Sequence, residues 1–281
     1  DLVSNLLTGC KHTANDFIFK NTLYPFYTFF NSGDFAKELF SSMQKDNNND
    51  IQIKSGLKAM SIDKPVYFRF CEECMKEDYK EYGEYYWHRI HQVSGVLLCP
   101  KHKTILHNSS VKMHNYNVRE YESPNINNCQ IKELNNYTKD IEDKLYKLAK
   151  DIEFILNNNL EKKDDNWYWN NCRNALKKID LVTINGNIVV KEFVKRFKNF
   201  YGDEFLDLIQ CNLKEDGYNN WLLDMVRKPR KKTHPIRHLL LIRFLDYSIR
   251  SFVEDEIKYN PFGEGPWPCM NKICIHYKKC N

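Results

Sequence analysis

Apolar residues recur at helical intervals along much of the chain. Ile131, Leu134, Ile141, Leu145, Leu148, Ile152, Ile155 and Leu156 step by threes and fours, which predicts a long amphipathic helix over residues 131–160. Phe35, Leu39, Phe40 and Met43 repeat the pattern near the N-terminus. Residues 181–211 read as a turn at Asn185-Gly186 followed by two short helices. Phe193, Val194 and Phe197 mark the first, Phe205, Leu206 and Ile209 the second, and Gly202 lies between them. That arrangement suits a helix-turn-helix, and equally an ordinary helical hairpin. A further helix is expected to open at Thr233 or His234, with Pro235 in its first turn and a stripe of Ile236, Leu239, Leu240, Phe244, Ile249 and Phe252.

Between these segments the pattern lapses. The Asn-rich stretch 108–130 reads as loop, and Asp46–Asp50 as a solvated loop. Asp46 does not open a calcium loop, because Ile51 and Leu57 stand where such a loop needs Gly and Glu. Trp167, Tyr168 and Trp169 are placed to pack at a domain junction or to stack on bases. The aromatic run Phe17–Phe30 is broken by Lys20, Asn21 and Pro25, and no apolar run approaches the ~20 residues of a membrane-spanning helix. No export signal opens the chain. The expected fold is mainly α-helical.

Cysteine spacing adds chemistry to this outline. Cys10, Cys129, Cys172 and Cys211 are isolated and read as small buried hydrophobes. Six others fall into two groups. Cys71-Glu-Glu-Cys74 and Cys99-Pro-Lys-His102 each place two ligand types two residues apart, so that one tight turn aims both at a single ion. Three thiolates and an imidazole form a closed tetrahedral zinc set, structural rather than catalytic. A redox C-x-x-C would instead sit at a helix start after a strand and need no downstream pair. His88, His91 and His107 are competing ligands, but only His102 completes the spacing. The second group, Cys269, Cys274, His276 and Cys280, is less regular and forms a candidate second zinc module, with partners also conceivable beyond it.

The charge total of +5 says little, since Lys outnumbers Arg 32 to 10 across the whole chain. Local density is more informative. Arg227, Lys228, Arg230, Lys231 and Lys232 form a basic loop feeding a helix start, a phosphate-clamp pattern. Lys191, Lys195, Arg196 and Lys198 face outward on the first helix of the helix-turn-helix-like pair, whereas Asp203, Glu204 and Asp207 make the second a poor groove reader. No G-x4-G-K-[ST], G-x-S-x-G or H-E-x-x-H motif occurs, so no enzymatic activity is expected. The expected organisation is an N-terminal helical segment (1–65), a Cys3His zinc-finger module (66–107), a helical connector (108–180), a helix-turn-helix-like domain with a basic loop (181–252) and a second Cys-rich module (253–281).

Phe68-Arg-Phe-Cys-Glu-Glu-Cys74, followed by Tyr86-Trp-His-Arg-Ile-His-Gln-Val-Ser-Gly-Val-Leu-Leu-Cys-Pro-Lys-His102, resembles the TniQ family pattern. Thr22-Leu-Tyr-Pro-Phe-Tyr27, His234-Pro-Ile-Arg-His-Leu-Leu-Leu-Ile-Arg-Phe-Leu245 and Gly265-Pro-Trp-Pro-Cys-Met-Asn-Lys-Ile-Cys-Ile-His-Tyr277 are similar to its TnsD branch. The resemblance implies a bacterial, cytoplasmic, nucleoid-associated target selector for transposition. Such a protein binds double-stranded DNA at a chromosomal attachment site and recruits the AAA+ ATPase TnsC. It also implies zinc ligation by Cys71, Cys74, Cys99 and His102. Asn21 and Glu72 depart from the family's usual His and Pro. The family's opening segment and the sequence after its second cysteine group are missing, which implies a fragment. The alternative is a zinc-stabilised TniQ-like adaptor linking a CRISPR effector or another protein to the transposition machinery. A zinc hydrolase or nuclease is disfavoured by the closed ligand set.

Overall fold

The computed structural model describes residues 13–44, 62–113, 121–132, 135–158, 160, 163, 166–213, 220–227, 233–260 and 266–279. Among these, helix dominates and one two-stranded sheet occurs. The N-terminal part holds α1 (Ala14–Asn21), α2 (Tyr24–Thr28) and α3 (Gly33–Met43). Thr13 caps α1 in a capping box with Asp16, and Ser32 caps α3, which buries the expected Phe35 and Leu39. Strand β1 (Tyr67–Phe70) leads directly into α4 (Glu72–Tyr82). A 3-10 turn (Arg89–Gln92) follows, and then β2 (His107–Lys112), antiparallel to β1. The stretch 108–130, expected to be loop, begins inside β2. β2 forms there because pairing with β1 buries Ser109 and Val111, which overrides weak strand propensity.

The long helix expected over residues 131–160 is α5 (Lys139–Asn157), shorter at its start. Thr138 sets that start, its side chain accepting from the Ile141 N–H, and the upstream Ile131 is exposed. Leu134 lies outside the described residues. The remaining helices are α6 (Trp167–Lys178), α7 (Val190–Tyr201), α8 (Asp203–Leu208), α9 (Trp221–Val226), α10 (Pro235–Phe244) and α11 (Ile249–Glu254). α7 and α8 are the two short helices read from the sequence, and the turn between them uses Gly202 at φ 78°. His234 caps α10, accepting from the Ile236 N–H, and Pro235 occupies its first position. The stripe read as one helix through Phe252 breaks after Phe244. Asp246 takes φ 67° and Ser248 caps a separate α11 with its own capping box.

A large core cluster joins residues from Phe26 to Ile257. α5 lies within it, packing against α2, α10 and α11. α10 is buried all round by Ile236, Leu239, Leu240, Leu241 and Ile242. The aromatic triplet packs inward: Trp167 meets Phe252 edge-on, Tyr168 meets His238, and the Trp169 Nε1–H donates to the Val226 carbonyl at 3.1 Å. Among the described residues no helix is long and apolar enough to cross a membrane.

A candidate metal centre

Cys71 is the N-cap of α4, placed there because β1 ends in the extended backbone (φ −114°, ψ 128°) that a helix cap requires. Cys74 follows in the first turn of the helix. The other pair is held by a tight loop in which the Cys99 N–H donates to the Thr104 carbonyl (2.8 Å) and the Lys103 N–H to the Cys99 carbonyl (2.9 Å). Lys103 turns the chain at φ 58°. The two loops bring one ligand atom each of Cys71, Cys74, Cys99 and His102 within 4.8 Å of one another. His102 Nδ1 lies 3.5 Å from the Cys71 sulfur, 3.3 Å from Cys74 and 3.7 Å from Cys99, and the Cys74 and Cys99 sulfurs are 3.6 Å apart. This Cys3His cluster could hold a metal ion. Tetrahedral Zn–S bonds of ~2.3 Å place two sulfurs about 3.8 Å apart, so the observed spacing fits zinc.

The surroundings favour the same role. The three cysteines are buried, and Cys71 and Cys74 lie at the positive end of α4, where the helix dipole stabilises thiolates. Hydrogen bonds from Cys74 and Cys99 push the Cys71 thiol strongly down, and the same sharing pushes Cys74 up. Contact with Cys71 also raises Cys99. Crowded in this way, the three sulfurs do not all ionise readily without a cation among them. Burial disfavours the charged His102 ring, but Glu77 and Cys71 outweigh it and raise its pKa. Glu77 meets His102 Nε2 at 3.1 Å, which fixes the tautomer and leaves Nδ1 aimed at the sulfurs. The Thr104 hydroxyl stands 3.1 Å from the Cys71 sulfur. The C-x-x-C does sit at a helix start after a strand, as a redox pair would. The convergence of Cys99 and His102 on it is what a redox pair lacks.

Spacing in the sequence pointed to the four ligands but not to Glu77 or Thr104. It also left unassigned the residues that hold the loops. The Arg69 N–H donates to Gln92 Oε1 and the Gln92 side-chain amide donates back to the Arg69 carbonyl, both at 2.9 Å. The Arg69 guanidinium donates to the Val93 carbonyl at 2.6 Å. Trp87 stacks on Phe68 and its indole N–H donates to the Glu122 carbonyl. The competing histidines are engaged elsewhere or set back. His88 pairs with buried Asp78 at 2.8 Å, His107 packs on Phe70, and His91 Nε2 stands 4.0 Å from the Cys74 sulfur.

Residues 1–106, which contain the Cys3His cluster, match the TniQ family. Residues 148–281 match the family of the Tn7-like transposition protein D, TnsD. The chain is thus similar to TniQ in its first part and to TnsD in its last. It is 22% identical over 238 residues to the transposon Tn7 transposition protein TnsD of Escherichia coli, a match covering 82% of this chain and 45% of that protein. The chain therefore spans less than half the length of this relative.

The second cysteine group lies in the TnsD-matched part. Cys269 and Tyr277 form a β-bridge, the Lys278 N–H donates to the Cys269 carbonyl at 2.7 Å, and the Tyr277 N–H to the Cys274 carbonyl at 3.0 Å. Cys269 and Cys274 are half-buried and His276 is exposed, while Cys280 lies outside the described residues. Among the described residues no group of three ligands assembles there. Of the basic candidates, Lys191, Lys195 and Arg196 are exposed on α7, where Arg196 is tied to Glu192 (2.7 Å) and to the Ile179 carbonyl (3.1 Å). Arg227 is exposed at the end of α9, and Lys228, Arg230, Lys231 and Lys232 lie outside the described residues.

Proposed function

We infer that this chain is the DNA-binding part of a transposition target selector. It binds double-stranded DNA at an attachment site and hands the site to a TnsC-like AAA+ ATPase, with no catalysis of its own. The observation that carries this reading is the joining of a TniQ match, with its assembled Cys3His cluster, to a TnsD match within one chain. The TnsD match over the C-terminal half favours DNA binding over a purely adaptor role. Cys71, Cys74, Cys99 and His102 Nδ1 would hold zinc, which when bound neutralises the thiolates and ties β1–α4 to the Cys99–His102 loop.

DNA contact falls to Arg227, Lys228, Arg230, Lys231 and Lys232, with Lys191, Lys195 and Arg196 on α7. Binding to attachment-site DNA is expected to weaken steeply as salt rises, because each neutralised phosphate releases counterions. Replacing the five loop residues together by Ala should flatten that dependence, read by fluorescence anisotropy on a duplex. An unchanged slope removes the loop from the interface, and absence of any footprint on attachment-site DNA defeats the reading as a whole.

A further inference from the structure

Residues 266–279 include a run of tight turns. The Cys274 N–H donates to the Asn271 carbonyl and the Tyr277 N–H to the Cys274 carbonyl, both at 3.0 Å, and the Lys279 N–H donates to the His276 carbonyl at 2.8 Å. Three successive turns result, with Lys272-Ile273, Ile275-His276 and Tyr277-Lys278 at their corners. The bridge between Cys269 and Tyr277 and the 3.1 Å bond from the Cys269 N–H to the Lys279 carbonyl close the run on itself. Gly, Pro, Asn, Asp and Ser are the ordinary residues of such corners. Here Ile273 is 95% exposed, Ile275 84%, and Met270 shortly before them 71%. Two β-branched apolar side chains held out in water at neighbouring corners bury almost nothing within the fold, so they are placed for contact outside it.

Charge says what they meet. Lys272, Lys278 and Lys279 are exposed, and residues 266–281 contain no Asp or Glu. Lys278 lies over the Tyr277 ring, 5.5 Å from its centroid, and among the described residues none of the three lysines pairs with a carboxylate. The acids nearest before the segment are Glu264 and Glu256, and Glu256 is taken by Lys258 at 2.7 Å. Three uncompensated ammonium groups beside apolar corners fit a polyanion that also offers apolar edges. A turn corner of two residues is too slight to fill the ~12 Å major groove but fits the ~6 Å minor groove, where basic and Asn side chains accompany apolar wedges. We propose that residues 270–279 form a second DNA-contacting element, distinct in sequence from the basic loop and α7, a proposal that rests on the DNA-binding reading above. Lys272, Lys278 and Lys279 clamp phosphates, while Ile273 and Ile275 wedge into the minor groove and bend the duplex.

The test uses the whole chain and a mixed-sequence duplex carrying a donor–acceptor dye pair at its ends, titrated over a series of salt concentrations. The wild-type chain binds it and draws the ends together. Lys272→Ala, Lys278→Ala and Lys279→Ala together lower the slope of log K against log salt by about 2–3, at about 0.9 per phosphate released. Ile273→Ser with Ile275→Ser keeps that slope and abolishes the bend, and since Ser is itself a turn former this variant keeps its turns. Wild-type protein that binds no duplex defeats the DNA-binding reading, and this proposal with it. Wild-type protein that binds but leaves the duplex straight overturns this proposal alone. So does a lysine variant with the full slope, or an isoleucine variant that bends the duplex as before, and the apolar corners then fall to a protein partner.

Discussion

Replacing Asp151 by Ala is expected to destabilise the chain by about 3 kcal/mol, and the structure shows why. The carboxylate sits on α5 with a side chain 3% exposed, and its oxygens accept three hydrogen bonds. Arg243 of α10 donates through Nε at 2.5 Å and through a terminal nitrogen at 2.7 Å, and the N–H of Ile249, the first residue of α11, donates at 3.1 Å. One side chain thus fastens three helices. Breaking a buried pair costs about 3–5 kcal/mol, because the surviving charge and the orphaned N–H stay desolvated. Arg243 keeps a quarter of its exposure, which places the expected loss at the low end of that range.

The assay is urea unfolding followed by circular dichroism, comparing midpoints at constant slope. Arg243→Met is added to complete a double-mutant cycle. The double variant should be less destabilised than the sum of the singles, because removing both partners leaves no buried charge uncompensated. A loss below about 1 kcal/mol for Asp151→Ala, or strict additivity in the cycle, would refute the idea that this pair fastens α10 and α11 to α5.

Two further outcomes are expected. Purified protein should carry at least one zinc per chain through Cys71, Cys74, Cys99 and His102, and Cys99→Ser should release it and lower the melting temperature; metal analysis showing none in undamaged wild-type protein removes the assignment. Burial pushes the ring pKa values of His234 and His238 down to about 3, far below the ~6.5 of the unfolded chain. A depressed folded pKa means that the associated stability is complete above about pH 6.5 and is lost as pH falls towards 3, by about 1.4 kcal/mol per unit for each ring. His238→Phe, which retains the stack on Phe30, should therefore lose about 2 kcal/mol less than wild type between about pH 7 and about pH 5, and equal losses would refute neutral burial of His238.

Helix existence was legible from periodicity, while helix ends depended on caps and neighbours. Ile131 and Leu134 extended the period of α5 upstream, but the hydroxyl of Thr138 halts the helix there, and period alone contains no such signal. α10 and α11 read as one stripe because every turn of α10 is apolar, so nothing in the period marked the break that Asp246 and Ser248 impose. Ligand spacing brought the four metal-binding candidates into view because C-x-x-C and C-x-x-H are local. Thr104 touches Cys71 from 33 residues away, and Gln92 mends the backbone of Arg69 from 23 residues away. Such pairings depend on how β1, the 3-10 turn and the Cys99 loop dock, which no local pattern encodes.

The way these pieces dock also bears on what the metal cluster is for. The segment between the two ligand pairs is no independent finger: Val93, Val96 and Leu98 lie in the same core cluster as Leu145, Leu148 and Ile236. At Gly95, with φ 76°, an added Cβ would come within 2.7 Å of Ile236 Cδ1, so the segment lies directly against α10. Arg89 donates to the carbonyls of Phe19 (2.5 Å), Thr22 (3.0 Å) and Leu156, tying the N-terminal helices and the end of α5 to the same segment. The part matched to TniQ and the part matched to TnsD therefore pack partly through this strip of chain, whose two ends carry Cys71–Cys74 and Cys99–His102, besides the direct contacts of Phe26 and Phe30 with His234 and His238. Removing a metal held by those ends is expected to loosen Val93–Leu98 from the core, read as faster amide hydrogen exchange there, and unchanged protection would refute the coupling. Any influence of the cluster on α10 would then travel through packing alone, by way of Gly95 and Ile236.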